Sequence, residues 1–366
     1  MKIGSISEDL NSEKRISITP EISKKYLDLG VEIFINKSYG IHLGFHDSDY
    51  KEKGVQILNN IDEVINNCNS LLQINLPEIN YINKLKENIS LIGIFNPYRN
   101  KEKIHLLLKK KINIFSLDLL PRIAKAQSMD VLSSQANLAG YKAVIESFNE
   151  FEKVIPMMMT AAGTIPAAKV LVIGAGVAGL QAIATAKRLG AIVFATDVRQ
   201  ASKEEVESLG GKFLSVEGAE DLETGYGYAK ETSGEFKLKQ QKLLSDTLKK
   251  IDIVICTALI PGKKAPRIIN EDMLEDMKVG SVIFDLSVEQ GGNSAYSEID
   301  KIVDKNGVKI IGYKNILNKL PFSATNLYSK NLYSFFLNLY NKEKKNFNIN
   351  LEDEIINKTF IQNKNT

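Results

Sequence analysis

The stretch Lys169-Val-Leu-Val-Ile-Gly174-Ala-Gly176-Val-Ala-Gly179-Leu constrains the fold of this chain more than any other. An apolar run of strand length leads directly into Gly-x-Gly-x-x-Gly and then into a helical pattern, and that context gives the glycines their weight. Gly174 permits a tight turn, Gly176 lets the backbone approach a pyrophosphate, and Gly179 lets a helix pack closely on a strand. The free N–H groups at the helix start and the positive dipole end then face the phosphates. The next apolar run, Ala191 to Thr196, ends at Asp197, 23 positions after Gly174. A carboxylate there accepts hydrogen bonds from an adenosine ribose and repels a 2′-phosphate, which favours NAD(H) over NADP(H). Arg199 reads in two ways, as a phosphate partner that weakens this preference or as a solvated loop residue. The bland alternative for the whole motif is a strand-to-helix turn that binds nothing.

The rest of the chain has the rhythm such a turn requires. Ile3 to Ile6, Val31 to Ile35, Ser70 to Ile74, Ser90 to Ile94 and Ile112 to Phe115 read as strands, and Glu21 to Leu29 as a helix ended by Gly30. A second series has strands at Lys169 to Ile173, Ile192 to Thr196, Ile253 to Thr257, Ser281 to Leu286 and Lys309 to Ile311. Strands separated by helical stretches imply right-handed crossovers onto parallel sheets covered on both faces. The expected fold class is therefore α/β, with two Rossmann-like, doubly wound parallel-sheet domains joined by a long helix. That helix runs from Ser133 to Phe151, with Leu138, Tyr141, Val144, Ile145 and Phe148 spaced to face one side.

Residues 1–132 together with 321–366 are expected to form the first domain, and 133–320 the second, nucleotide-binding one. The last helix carries Tyr328, Leu332, Phe335, Phe336 and Leu339 on one stripe and should pack back on the first domain. The amide-rich end is expected to fray beyond about Leu351.

Composition removes several function classes. The 47 Lys and Arg against 44 Asp and Glu leave a net charge of +3, too small for a nucleic-acid footprint. Cys68 and Cys256 are the two cysteines, too few for a disulfide scaffold or a cysteine-rich zinc site, and a reducing compartment follows. The start of the chain reaches Glu8 and Asp9 before any apolar core of a secretory signal forms. Val170 to Ala186 lacks charge but is glycine-punctuated, and a buried strand and helix explain it better than a membrane span.

A dehydrogenase acting on an alcohol or amine moves a proton as well as a hydride and needs a base near its substrate. His42, His46 and His105 all lie in the first third, in loop-like or solvated helical settings, and no histidine follows in the fingerprint domain. No metalloprotease, serine-hydrolase or cysteine-pair motif occurs. The segment Pro121-Arg122-Ile-Ala-Lys-Ala-Gln127-Ser-Met-Asp130-Val-Leu-Ser133-Ser-Gln135 stands at the junction of the two series, where the reactive end of a cofactor usually sits. Equally, Asp130 or Ser133 serves as the cap that starts the long helix.

Those residues carry a family resemblance. Arg122 to Asp130, the run Pro156-Met-Met-Met-Thr-Ala-Ala-Gly163-Thr, the fingerprint with Ala195-Thr-Asp197-Val198-Arg199, Glu207 to Phe213, and Thr257-Ala258-Leu259-Ile-Pro-Gly-Lys263 together resemble the alpha subunits of proton-translocating NAD(P) transhydrogenase, within the alanine dehydrogenase/transhydrogenase superfamily. The resemblance is to the soluble NAD(H)-binding component, domain I, in its separate-polypeptide form. It implies direct hydride transfer between NADH on this chain and NADP(H) on a partner, coupled to proton translocation by partner subunits.

The resemblance places Arg122, Gln127, Asp130 and Ser133 on the nicotinamide side as the catalytic set. It places Gly174, Gly176, Val177, Gly179, Asp197, Val198 and Arg199 around the phosphates and adenosine, and Ala258 and Leu259 behind the nicotinamide half. The glycine-rich stretch Glu217 to Glu235 resembles the family's mobile loop, with Gly227 and Tyr228 at its core; an ordinary surface loop is the other reading. Ser287 and Gln290 depart from the family's usual alanines. The implied partners are a second copy of the chain, an NADP(H)-binding beta subunit and a membrane-domain subunit, which would hold the chain at the cytoplasmic face of the inner membrane.

Two rivals remain. Lys14-Arg15-Ile-Ser-Ile-Thr-Pro20 also resembles alanine dehydrogenase, whose chemistry needs a Lys and a His where this chain has Asn75 and Asn96. Neither amide does acid–base work at neutral pH. The second rival is a non-catalytic NAD-binding assembly subunit, which a damaged junction loop would signal; Arg122, Gln127 and Asp130 are all present.

Overall fold

The computed structural model describes residues 1–216, 234–260 and 262–362, the first four residues after the break by their backbone alone. By its internal contacts the chain divides into two units, Met1–Gln135 with Leu317–Thr366, and Ala136–Ile316.

The first unit opens with six parallel strands, β1 Lys2–Ser5, β2 Glu32–Asn36, β3 Gln56–Leu58, β4 Ser70–Leu72, β5 Ser90–Gly93 and β6 Asn113–Ser116. Every residue of β4 and β5 is buried, the mark of strands covered on both faces. The helix Pro20–Asp28 starts where Thr19 accepts the Ile22 N–H at 3.2 Å and proline fills the first helical position. It stops before Gly30, which takes φ +76°.

The long helix spans Val131–Glu150. Its buried face overlaps the expected one only in part, with Val144 buried and Phe148 packed against the same core. Tyr141 is 43% exposed, whereas Gly140, Ala143, Val144 and Ser147 are buried. The reason is proximity: a Cβ added to Gly140 would lie 2.0 Å from the carbonyl oxygen of Ala178, so this helix meets the helix Val177–Arg188 backbone to backbone. Small residues make that face, and a search for large apolar residues passes over it.

After the long helix the second unit continues with an antiparallel hairpin, β7 Met158–Thr160 and β8 Gly163–Ile165. Its sheet then runs through β9 Lys169–Ile173, β10 Ile192–Thr196, β11 Lys212–Phe213, β12 Ile253–Cys256, β13 Val282–Asp285, β14 Lys301–Lys305 and β15 Val308–Gly312. The spatial order is β11-β10-β9-β12-β13-β15-β14, all parallel except the edge pair β14 and β15. The direction of strand addition therefore reverses between β9 and β12, and ligands of such sheets bind at the carboxyl ends there.

The chain returns to the first unit through the helix Pro321–Leu339, whose Tyr328, Leu332, Phe335, Phe336 and Leu339 are all buried in that unit's core. Phe336 meets Tyr26 edge to face, with ring centres 4.8 Å apart. A small hairpin follows, β16 Tyr340–Asn341 with β17 Asn346–Phe347. Residues 351–362 are ordered, contrary to the fraying expected from composition. Asp353 caps the helix Glu354–Thr359 by accepting the N–H groups of Ile355 and Ile356, both of which are buried. Then β18 Phe360–Ile361 pairs antiparallel with β6 and completes the order β18-β6-β5-β4-β1-β2-β3. Two isoleucines and a phenylalanine stacked on Phe115 at 5.0 Å anchor a segment whose letters are mostly polar.

Candidate nucleotide-binding site

The three fingerprint glycines are required for different reasons. Gly174 sits at φ +95° with its N–H on Thr196 O at 2.9 Å, and a Cβ there would lie 2.7 Å from Thr257 Oγ1. A Cβ on Gly179 would lie 1.9 Å from Gly174 O. The protein's own packing dictates those two. A Cβ on Gly176, which caps the helix Val177–Arg188, would meet nothing within 4 Å. That glycine keeps space open in front of the first helical turn, where Val177 is 36% exposed and the turn itself carries no acidic residue. A pyrophosphate fits such a cradle.

Beside it, at the end of β10, the Asp197 carboxylate is held from three directions. Oδ2 accepts the Ala175 N–H at 2.7 Å and Oδ1 the Arg199 N–H at 2.9 Å, while Arg199 Nε and Nη2 reach Oδ1 and Oδ2 at 3.0 Å. Arg199 is thus drawn onto Asp197 and is not a solvated loop residue; Val198 between them is partly buried.

Across the reversal point, Thr257 Oγ1 donates to Gly174 O at 2.8 Å and ties the end of β12 to the turn. Ala258 is gripped by Asn293, whose Oδ1 accepts the Ala258 N–H and whose Nδ2 donates to Ala258 O. Leu259, next in line, is 40% exposed. Behind them the buried Asp285 carboxylate accepts five hydrogen bonds, from the N–H and Oγ of Ser287, the N–H groups of Asn293 and Ser294, and Ser297 Oγ. Sequence reasoning missed Asp285 and Asn293 as site supports. The signal was the run of small polar residues and the Gly291-Gly292 pair after a strand end, and Ser287 now has a reason: it is one of the donors. Cys256 is fully buried, and burial, with this neighbouring carboxylate second, pushes its thiol well above the usual range.

The junction residues belong to the first unit. Arg122 and Gln127 are exposed, Gln127 on a 3₁₀ turn, Ala124–Met129. Asp130 caps the helix Val131–Glu150: Oδ1 accepts the Ser133 N–H at 2.9 Å and Oδ2 accepts Ser133 Oγ at 2.5 Å. The loop is braced by Asn331, which accepts Ser134 Oγ at 2.6 Å and donates to Ser128 O at 2.8 Å, and by the ion pair of Lys125 with Asp353 at 2.7 Å. Gly227 and Tyr228 lie outside the described residues.

Deeper in the first unit, the buried Arg15 donates Nε and Nη2 to Glu13 and Nη1 to Gln135. Burial pushes the Glu13 carboxyl up, but the Arg15 hydrogen bond and charge outweigh it and leave it below its usual range. Asn75 Nδ2 bridges Glu13 and Glu8 at 3.4 and 3.5 Å, and burial raises the Glu8 carboxyl to about 7. Asn96 is exposed at φ +45°. His42 donates to or accepts from nothing catalytic in this arrangement, its ring lying 2.7 Å from Lys14 O, and His105 is exposed on the helix Lys101–Lys109. Among the described residues no cluster could hold a metal ion and no helix is long and apolar enough to cross a membrane.

Residues 4–139 match the family model "Alanine dehydrogenase/PNT, N-terminal domain" and residues 143–366 its C-terminal counterpart. The chain is 45% identical to the first-part polypeptide of the NAD(P) transhydrogenase alpha subunit of Rickettsia prowazekii, over 99% of this chain and 94% of that one. It is 41% identical to subunit alpha of Haemophilus influenzae over 97% of this chain and 69% of that one, and 26% identical to an alanine dehydrogenase of Staphylococcus epidermidis over 89% and 84%. A transhydrogenase structure from Sinorhizobium meliloti superposes with a TM-score of 0.90 at 41% identity, covering 99% of this chain and 98% of that one. By sequence and by fold the chain belongs to the alanine dehydrogenase/PNT family, and within that family its similarity lies with the transhydrogenase alpha subunits.

Proposed function

We propose that this chain is the NAD(H)-binding subunit of a proton-translocating transhydrogenase. The observation that carries the reading is Gly176, whose vacant side faces a helix N-terminus between two glycines that packing alone explains, next to the Asp197 carboxylate. The bound dinucleotide supplies a hydride that passes to a second nicotinamide ring on a partner subunit. Such a transfer relays no proton, so a site without a base suffices, and the chain's task is to bind, orient and exclude water.

In this reading the N–H groups from Gly176 onward hold the pyrophosphate and Asp197 accepts the ribose hydroxyls. Arg199 keeps that carboxylate in place. Asp130, fixed by Ser133, presents its remaining lone pairs to the nicotinamide amide or ribose, with Arg122, and Gln127 brings the two rings together. We further propose that NADP(H) is bound by a partner beta subunit, that a membrane-domain subunit couples the reaction to proton movement, that the chain works as a homodimer, and that its place is the cytoplasmic face of the inner membrane. The relatives' names, which describe one piece of a divided alpha subunit, support the assembly.

The test is hydride transfer from NADPH to an oxidised NAD analogue by the purified chain, with and without the NADP-binding subunit of a transhydrogenase. Rapid turnover in the mixture alone is expected. Pyruvate- and ammonia-dependent oxidation of NADH by the chain by itself would overturn the proposal in favour of alanine dehydrogenase.

A further inference from the structure

We infer that Asn293 is a positioning residue for the nicotinamide half of the dinucleotide, acting through Ala258 and held in turn by Asp285; the inference rests on the nucleotide-binding reading above. The sheet order supplies the location. With the phosphates at the start of the helix Val177–Arg188 and the adenosine ribose at the end of β10, the other half of an extended dinucleotide lies across the reversal point, over the end of β12. Ala258 and Leu259 occupy that end.

Asn293 has no exposed surface, and its amide is fully used: Oδ1 takes the Ala258 N–H at 3.1 Å, and Nδ2 gives to Ala258 O at 2.9 Å and Pro266 O at 2.8 Å. Its backbone is fixed as well, the N–H on Asp285 Oδ2 at 2.7 Å and the carbonyl accepting from Ile268 and Ile269 at 2.8 and 2.9 Å. Because Asp285 takes five donors, rotation of Asn293 would strand several buried polar groups at once. Both main-chain groups of Ala258 are therefore turned inward onto Asn293. The side chain exposed beside them is that of Leu259, an apolar surface open to the nicotinamide half. Asn293 touches no substrate; it decides where that apolar platform stands.

The experiment compares Asn293→Ala with the wild type, each mixed with the NADP-binding subunit, through three readouts: ADP binding, which probes the adenosine half alone; the emission of bound NADH, which reports the setting of its ring; and single-turnover hydride transfer at saturating NADH. The expected result is ADP affinity within two-fold, altered NADH emission, and transfer slowed ten-fold or more. ADP and NADH affinities falling together, or transfer at the wild-type rate, would overturn the inference. If Asn293→Ala does not fold, Ser297→Ala, which removes one donor from Asp285, is read by the same three signals; a several-fold loss of rate with ADP binding intact supports the inference and an unchanged rate overturns it. A wild-type chain that binds neither ADP nor NADH would instead sink the nucleotide reading itself, a result distinct from any produced by Asn293.

Discussion

Asp197 and Arg199 show how a pair of side chains can be legible in type and hidden in relation. The carboxylate at the end of β10 follows from its spacing after the glycines, but the arginine's role depended on where its guanidinium pointed, and it points at Asp197. Removing the carboxylate therefore does two things: it deletes the acceptor for the ribose and leaves a cation beside the place where a 2′-phosphate would sit. Asp197→Ala should weaken NADH binding ten-fold or more, as expected when a charged acceptor worth about 1.5–3 kcal/mol is lost, while the ratio of NADPH to NADH affinity rises. Parallel titrations decide it, and an unchanged ratio would show that the freed Arg199 guanidinium does not meet a 2′-phosphate. The Glu8 carboxyl, lifted to about 7 by burial and by the neighbouring Glu13, gives a pH prediction. Its folded value exceeds its unfolded one, so the native state binds more protons between about pH 4.5 and 7, and Glu8 lowers stability as pH rises through that window. Glu8→Gln keeps an acceptor for the Ile74 and Asn75 N–H groups and removes the titration. The variant should be more stable than wild type at pH 8 by an amount on the order of 2 kcal/mol and lose that advantage near pH 5, in denaturation midpoints taken at both.

At the scale of elements, sequence pattern worked where large apolar residues made the contact. The stripe on the helix Pro321–Leu339 is buried as expected, and β9 and β10 have the limits their apolar runs imply. It failed where contact was made by small or few residues. The helix Val131–Glu150 buries Gly140, Ala143 and Ser147, none of which weighs in a hydrophobic pattern, because backbones rather than side chains meet there. Gly140→Ala should accordingly cost about 2 kcal/mol or more, since a methyl group 2.0 Å from a carbonyl oxygen forces the helices apart. A melting temperature within a degree of wild type would contradict the packing. The C-terminal segment failed for the opposite reason, its few apolar residues being diluted by Asn and Lys. Its placement bears on function, because Asp353 caps the helix Glu354–Thr359 and pairs with Lys125 in the loop that carries Arg122 and Gln127. Asp353→Ala should lower stability by about 1 kcal/mol through the lost cap and slow hydride transfer several-fold with NADH affinity preserved. Equal losses in both, or in neither, would separate the loop from its brace.

For the whole molecule, the sequence conveyed two doubly wound sheets because parallel strands buried on both faces leave continuous apolar runs, and such runs survive any drift in surface composition. The hairpin of β7 and β8 left no such trace. Its residues carry part of the family resemblance, but no alternation in them marks a strand. Every residue of both strands is exposed, with Met159 at 84% and Met157, just before it, at 65%. A lone two-stranded hairpin is marginal in water, and apolar side chains this exposed are stabilised by burial against a second surface. The proposed homodimer would supply one, since the uncharged residues of this hairpin would bring no like-charge repulsion to a contact with a second copy across a two-fold axis. Met157→Asp together with Met159→Asp would set four carboxylates against one another in that contact. Sedimentation of the wild-type chain at micromolar concentration should then give a dimer and of the double variant a monomer, with ADP affinity per chain unchanged because the fingerprint turn lies elsewhere in the unit. A variant that sediments with the wild type would remove the hairpin from the interface.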